Sequence, residues 1–301
     1  MNATVVSCTT LPLPTNYRMM DILTFHNRDA LAIAETVEGN CLGKGIIWQG
    51  APACLTVRFL PLCAEIELSI DHPLASAKVD ELTALATRML GLDQAVEIFE
   101  EGVARHPQLG KLIQKQSGLR VPVAPSVFEA LTWAITGQQI SVAAAVSIRR
   151  KLIQLVGLQH SSGLYCYPDA QLVKDLSINE LRQTGFSQSK AQTLLTVSQM
   201  VASGELVLNI SKEEPSIAQI RQQLLAVRGI GPWTVNYALL RGYGWLDGSL
   251  HGDAAVRRGL QMLLDHDGVM DENQTQKWLE GFAPWRALVA AHLWELVANG
   301  G

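Results

Sequence analysis

Between residues 53 and 70 apolar and polar side chains alternate with a period of two. Leu55, Val57 and Phe59 share one face with Thr56 and Arg58 opposite; Ile66 and Leu68 then share a face with Glu65 and Glu67 opposite. That period marks strands with one buried face, so residues 53–60 and 64–70 are expected to be strands joined by a turn. Residues 45–49 read as another strand and 20–26 as the first, with a short amphipathic helix over 29–37 between them. The helical period takes over at residues 76–90 and 93–104, and the strand signal vanishes past Pro107. Residues 128–155 make two helices around Thr136-Gly137-Gln138-Gln139-Ile140-Ser141; 177–181 and 190–201 make two more around Gly185-Phe186-Ser187. Residues 204–215 are a linker, Trp278 begins a further element, and 286–298 is the last helix. The expected class is α+β. A small α/β domain over residues 1–108, an antiparallel sheet with helices, precedes an all-α body over 109–301.

The chain is organised around the stretch that follows the linker. Ile217, Ile220, Leu224 and Leu225 fall at helical spacing before the tight turn Arg228-Gly229-Ile230-Gly231-Pro232, and Val235, Leu239 and Leu240 do so after it. Glycine at 229 and 231 permits positive φ and close backbone approach, and Pro232 suits the first helical position. Two helices joined by such a hairpin present free N–H groups at a helix N-terminus, a ready site for an anion such as a DNA phosphate. A carboxylate, Asp253, follows one short helix and a Gly-rich loop later. It precedes the apolar positions Ala254, Val256 and Leu260, so it reads equally as a helix N-cap. The two readings are compatible, because a cap is held rigidly.

The hairpin Val227-Arg228-Gly229-Ile230-Gly231-Pro232-Trp233-Thr234-Val235-Asn236-Tyr237, with Asp253 about twenty residues on, resembles the helix-hairpin-helix DNA glycosylase superfamily, most closely the 3-methyladenine DNA glycosylase II (AlkA) type. The resemblance implies a monofunctional enzyme that flips alkylated purines such as 3-methyladenine and 7-methylguanine out of double-stranded DNA and hydrolyses the N-glycosidic bond. Asp253 would stabilise the oxocarbenium-like sugar or orient water. Bifunctional members carry a lysine two residues after the last hairpin glycine; Trp233 stands there and cannot form a Schiff base, so no strand cleavage is expected. By the same resemblance Trp233, Tyr237, Trp294 and Phe25 line the base pocket, where a cationic purine would gain about 0.5–2 kcal/mol per ring. Trp294 belongs to Pro284-Trp285-Arg286…His292-Leu293-Trp294, similar to the family's C-terminal segment. Gly229, Ile230, Gly231 and Thr234 would meet the DNA backbone. Gln138 and Gln139 would fill the gap left by the flipped nucleotide, unless they form a solvated turn. Arg257, Arg258, Lys190 and Arg120 are further phosphate candidates. Outward carbonyls from Val227 to Ile230 could hold a structural Na⁺ or K⁺.

Composition bears mainly on alternatives. The net charge of −4 is unusual for a nucleic-acid partner, but it is uneven: residues 1–108 carry 7 basic and 13 acidic side chains, residues 109–301 carry 17 and 15. The second part is therefore the expected DNA surface. No apolar run suits a membrane span, and the N-terminus lacks a secretory pattern. Five scattered cysteines (Cys8, Cys41, Cys54, Cys63, Cys166) suggest reduced thiols in a cytoplasmic protein, and a monomer is expected. With none after Cys166, the four closely spaced cysteines of an iron–sulfur cluster are missing, and no zinc spacing exists, so no cofactor is expected. The alternative reading is a non-catalytic DNA-binding protein that keeps the hairpin as an anchor. An oxidised-guanine or mismatch glycosylase is disfavoured by Trp233.

Overall fold

Period-two alternation places the apolar face of the N-terminal region on a five-stranded antiparallel sheet. The computed structural model describes residues 5–72, 78–208 and 216–300. The strands are β1 (Val5–Pro12), β2 (Glu35–Glu38), β3 (Cys41–Trp48), β4 (Ala51–Leu60) and β5 (Cys63–Ile70), in the order β1-β5-β4-β3-β2. Leu55, Val57, Phe59, Ile66 and Leu68 are all buried, as the alternation requires.

Two expectations in this region fail. Residues 20–26 are a helix, α1 (Met19–His26), not a strand. Its buried residues Ile22, Leu23 and His26 repeat at helical spacing, while the sheet edge is taken by β1, which pairs along β5 from Val5↔Ile70 to Pro12↔Cys63. Residues 29–37 are a turn leading into β2, not a helix. The Asp29 carboxylate accepts from the Leu31 N–H at 3.1 Å, and Ala32 takes a left-handed φ of 48°, which stops a helix.

The rest is helical: α2 (Val79–Met89), α3 (Val96–Val103), α4 (Leu109–Lys115), α5 (Val127–Gly137), α6 (Val142–Val156), α7 (Ala170–Val173), α8 (Ile178–Gln183), α9 (Gln188–Ser203), α10 (Ile217–Ala226), α11 (Pro232–Tyr243), α12 (Ala254–Leu264), α13 (Glu272–Glu280) and α14 (Arg286–Gly300). Trp278 lies inside α13 rather than at its start. Part of the expected helix over 76–90 and most of the expected linker lie outside the described residues. The starts of α5, α6, α8, α9 and α10 are capped by Ser126, Ser141, Ser177, Ser187 and Ser216, each accepting from the N–H three residues on. Among the described residues no helix is long and apolar enough to cross a membrane, and all five thiols are free.

Packing divides the chain into two main cores. The sheet packs with α1 and α2 as far as Leu90, whereas Val96 and Phe99 of α3 already belong to the helical core. Charged side chains join the two parts. Lys44 of β3 is 1% exposed and donates to Glu35 of β2 and, at 2.9 Å, to Glu129 of α5. Arg149 of α6 grips Glu35 through two bonds of 2.7 and 3.0 Å and reaches Glu129 at 3.0 Å. Burial alone would raise the Glu35 carboxyl, but Arg149 and Lys44 hold it well below the usual carboxylate range.

Candidate active site at the hairpin cleft

The hairpin between α10 and α11 is shaped by its contacts with two other helices. Gly229 has φ +90°, and a Cβ there would lie 2.2 Å from Thr193 Oγ1 of α9. The position therefore requires glycine on both conformational and steric grounds. The same hydroxyl donates to the Arg228 carbonyl at 3.1 Å. Gly231 is extended (φ −101°) and caps α11, so of the two glycines only Gly229 uses left-handed backbone. Pro232 occupies the first turn as the sequence suggests, and the N–H groups of Trp233 and Thr234 behind it have no helical acceptor.

Three carbonyls of the turn accept hydrogen bonds within the protein. That of Val227 accepts from Ile230 N–H, that of Arg228 from Thr193, and that of Gly229 from Gln138 Nε2. Each of these carbonyls keeps a second lone pair, so a structural Na⁺ or K⁺ held through Val227 and Ile230 stays a proposal.

Asp253 stands at the start of α12 and is its N-cap. One oxygen, Oδ1, accepts from the N–H groups of Ala255 (2.9 Å) and Val256 (3.1 Å) as an N-cap, and from Trp294 Nε1 at 3.1 Å. The other, Oδ2, accepts from Trp233 Nε1 at 2.9 Å. Four N–H donors from three helices thus fix the carboxylate at a partly exposed position. The close approach of α12 and α14 makes this possible: a Cβ on Gly259 would meet the Leu293 carbonyl at 2.5 Å. That contact brings Trp294, the next residue, alongside the cap. Tyr237 completes the wall, with ring centroids 5.2 Å from Trp233 and 6.0 Å from Trp294. A fixed carboxylate beside an aromatic cleft can stabilise positive charge developing on a bound group.

Three cleft residues were not foreseen. Arg241 follows Tyr237 by one helical turn, so Trp233, Tyr237 and Arg241 form one stripe on α11. The i, i+4, i+8 spacing was the available signal. Its guanidinium carbon lies 4.7 Å from the Phe25 ring centroid and 5.5 Å from that of Trp294. Arg28, three residues after Phe25, stacks on it at 4.1 Å. Trp133 of α5 donates its Nε1–H to the Tyr237 hydroxyl at 3.0 Å. Phe25 thus sits between two arginines.

Other expected contact residues divide. Gln138 turns inward and bridges Gly229 O (3.0 Å) and Thr234 Oγ1 (2.8 Å), so it braces the hairpin rather than projecting from it. Gln139 is exposed with a left-handed φ of 54°, and beside it Ile140 and Val142 expose apolar side chains. Lys190 holds this loop by donating to the carbonyls of Thr136 and Gln138, and burial lowers its pKa. Ile230 and Thr234 are buried. Arg257 pairs with Glu272 at 3.1 Å, and Arg258 is exposed. Arg120 is a correction: it is 4% exposed and donates to the carbonyls of Gly91 (3.0 Å) and Gln94 (2.7 Å), a structural clasp away from any phosphate.

Comparisons with known proteins bear on the family and the fold. Residues 132–284 match the family model of the HhH-GPD superfamily of base excision DNA repair proteins, and residues 8–126 match the AlkA N-terminal domain. A DNA-3-methyladenine glycosylase of Bacillus subtilis is 24% identical over 76% of this chain and 77% of its own length. DNA-3-methyladenine glycosylase 2 of Escherichia coli is 29% identical over 62% of this chain and 63% of its own length, under two thirds of that relative. In fold, the chain matches a 3-methyladenine DNA glycosylase from Archaeoglobus fulgidus with a TM-score of 0.81, at 19% identity, over 97% of this chain and 99% of the other.

Proposed function

The chain belongs to the HhH-GPD superfamily of base excision DNA repair proteins, and from that premise we propose that it is a monofunctional DNA glycosylase that flips alkylated bases from double-stranded DNA and hydrolyses their N-glycosidic bonds. The observation that carries the reading is the Asp253 carboxylate, held by both Trp233 and Trp294 at the mouth of an aromatic cleft next to the hairpin. As the bond to the base breaks, the sugar becomes oxocarbenium-like, and a fixed carboxylate stabilises that charge or aligns the attacking water. The hairpin backbone at Gly229, Ile230 and Gly231 with the first turn of α11 binds the phosphate, and Arg257 adds charge nearby. Gln139, with exposed Ile140 and Val142 beside it, enters the gap left in the duplex. Water is the nucleophile, because Trp233 offers no amine. The protein acts as a monomer on DNA in the cytoplasm and needs no cofactor for these steps.

The alternative, a DNA-binding protein without activity, fits less well. A carboxylate set beside the phosphate anchor opposes binding of a polyanion, whereas a hydrolase uses it. Incubation with methylated duplex DNA, followed by chromatography of released bases, tests the reading. Release of 3-methyladenine is expected, leaving abasic sites that break only on alkali treatment. No base released from any alkylated duplex would overturn it.

A further inference from the structure

Three elements beside the cleft hold one another through side chains. Lys190 of α9 donates to the carbonyls of Thr136 and Gln138, where α5 ends and the loop to α6 begins. Thr193, three residues on and so on the same face of α9, shares its hydroxyl hydrogen between the Ser189 carbonyl of its own helix (3.0 Å) and the Arg228 carbonyl of the hairpin (3.1 Å). Gln138 closes the third side, its Nε2 reaching the Gly229 carbonyl at 3.0 Å and Thr234 Oγ1 at 2.8 Å. A carbonyl only accepts, so the amide nitrogen faces Gly229, and both of its hydrogens are then spent on the hairpin. The loop gripped in this way runs only from Gln138 to Ser141, the cap of α6. Within it Gln139 keeps a left-handed φ of 54°, which a residue other than glycine holds when its surroundings impose it. Gln139, Ile140 and Val142 are exposed beyond the clamp.

From this triangle we infer that Gln138 is a positioning residue for base flipping: it ties the hairpin, which holds the strand's phosphate, to the loop whose exposed side chains enter the duplex, so that gripping the backbone also sets where the insertion falls.

This assignment rests on the glycosylase reading and deepens it. Unstacking a paired base is unfavourable, and an inserted side chain offsets that cost. The offset is largest when the side chain is already in place as the phosphate binds, because a loop free to move against the hairpin loses entropy on insertion. Phosphate binding draws on backbone N–H groups at the start of α11, not on Gln138. Loss of the Gln138 donors therefore spares affinity and lowers the population of flipped base. The expected scale is about tenfold, the net worth of about one or two neutral hydrogen bonds.

The test places one alkylated purine that the wild-type protein releases, 7-methylguanine or 3-methyladenine, either opposite its pairing base or as an unpaired bulge in the same duplex. A bulged base has no pair to break, so its excision needs less help from an inserted side chain. Gln138→Leu keeps the bulk and removes both donors; Gln138→Glu keeps the shape but turns an acceptor toward the Gly229 carbonyl. Both are expected to slow single-turnover excision of the paired base about tenfold, with bulge excision and duplex affinity each changed less than about threefold. Lys190→Met loosens the loop from its other side and should show the same pattern more weakly. It carries the comparison should both Gln138 variants unfold, judged by their thermal melts. Equal slowing on both substrates, or none on the paired one, overturns the inference and leaves the glycosylase reading intact, since base is still released. Wild-type protein that releases no base from any alkylated duplex overturns both.

Discussion

Two walls of one small cavity, about 50 Å³, hold buried charge in opposite ways. On the wall shared by the sheet and the helical body, Lys44 and Arg149 face Glu35 and Glu129, cation matched to carboxylate. On the wall shared with the cleft, Arg28 and Arg241 face rings and the Tyr237 hydroxyl, and Arg241 the Pro122 carbonyl. Burial of a charge is costly unless it is paired. The first wall meets that cost with partners and gains a fixed junction between the two parts of the chain. The second leaves it partly unmet: burial lowers the Arg241 pKa to about 10, still cationic at neutral pH. Where pairing is complete, the charges serve architecture. Where it is incomplete, rings, a carbonyl and the Tyr237 hydroxyl stand in for a carboxylate.

The contrast can be broken from either side, and the largest effect is expected at the cleft mouth. Asp253→Asn keeps a side-chain oxygen for the cap and Trp294 but removes the charge facing the sugar. Single-turnover excision should fall about 10³-fold, while duplex affinity, read by fluorescence anisotropy, holds or rises. Undiminished activity would remove Asp253 from the mechanism. On the paired wall, Lys44→Met removes one cation from between two buried carboxylates. Urea unfolding should show a loss of about 3 kcal/mol, with excision chemistry little altered in the folded fraction. A loss below about 1 kcal/mol would mean that Arg149 alone compensates Glu35 and Glu129.

A smaller, pH-dependent effect sharpens the comparison in the helical core. His292 of α14 is buried against Phe99 and bonded to Gln116 at 2.7 Å, with no carboxylate partner among the described residues; burial lowers its pKa to about 3. The unfolded chain takes up a proton near the ordinary histidine value, so this group contributes no pH dependence above about 6.5 and costs stability as pH falls from there toward 3. From pH 7 to pH 5 wild type should lose about 2 kcal/mol through His292, a loss absent from a folded His292→Gln variant. Equal losses in both proteins would assign the acid sensitivity to other groups, His26 among them, whose pKa burial also lowers.

The chain's own pattern carried much of this. Alternation at 53–70 located two strands and their inward faces, and the Gly229 to Tyr237 spacing located the hairpin and the Trp233 position. Asp253 was legible as a cap because capping is a local event, decided within four residues. The misread stretches, 20–26 and 29–37, are short apolar runs, where strand and helix look alike until a neighbour claims one face. There the neighbours are β2 and β3, on which α1 packs, with Glu35–Glu38 of the second stretch paired to β3.

Sequence by itself determined the secondary elements with strong periods, the two-part class, the hairpin turn and the carboxylate that starts α12. Tertiary structure alone decided that Trp294 and Trp233 would close on that carboxylate from opposite sides, that Gln138 would turn inward, and that Arg120 would be a clasp while Arg241 entered the ring box. The physical reason is range: turns, caps and periodicity are fixed by a few adjacent residues. The surroundings of a charge depend on which distant helices pack closely enough, as α12 and α14 do at Gly259, to bring a partner within reach or leave it without one.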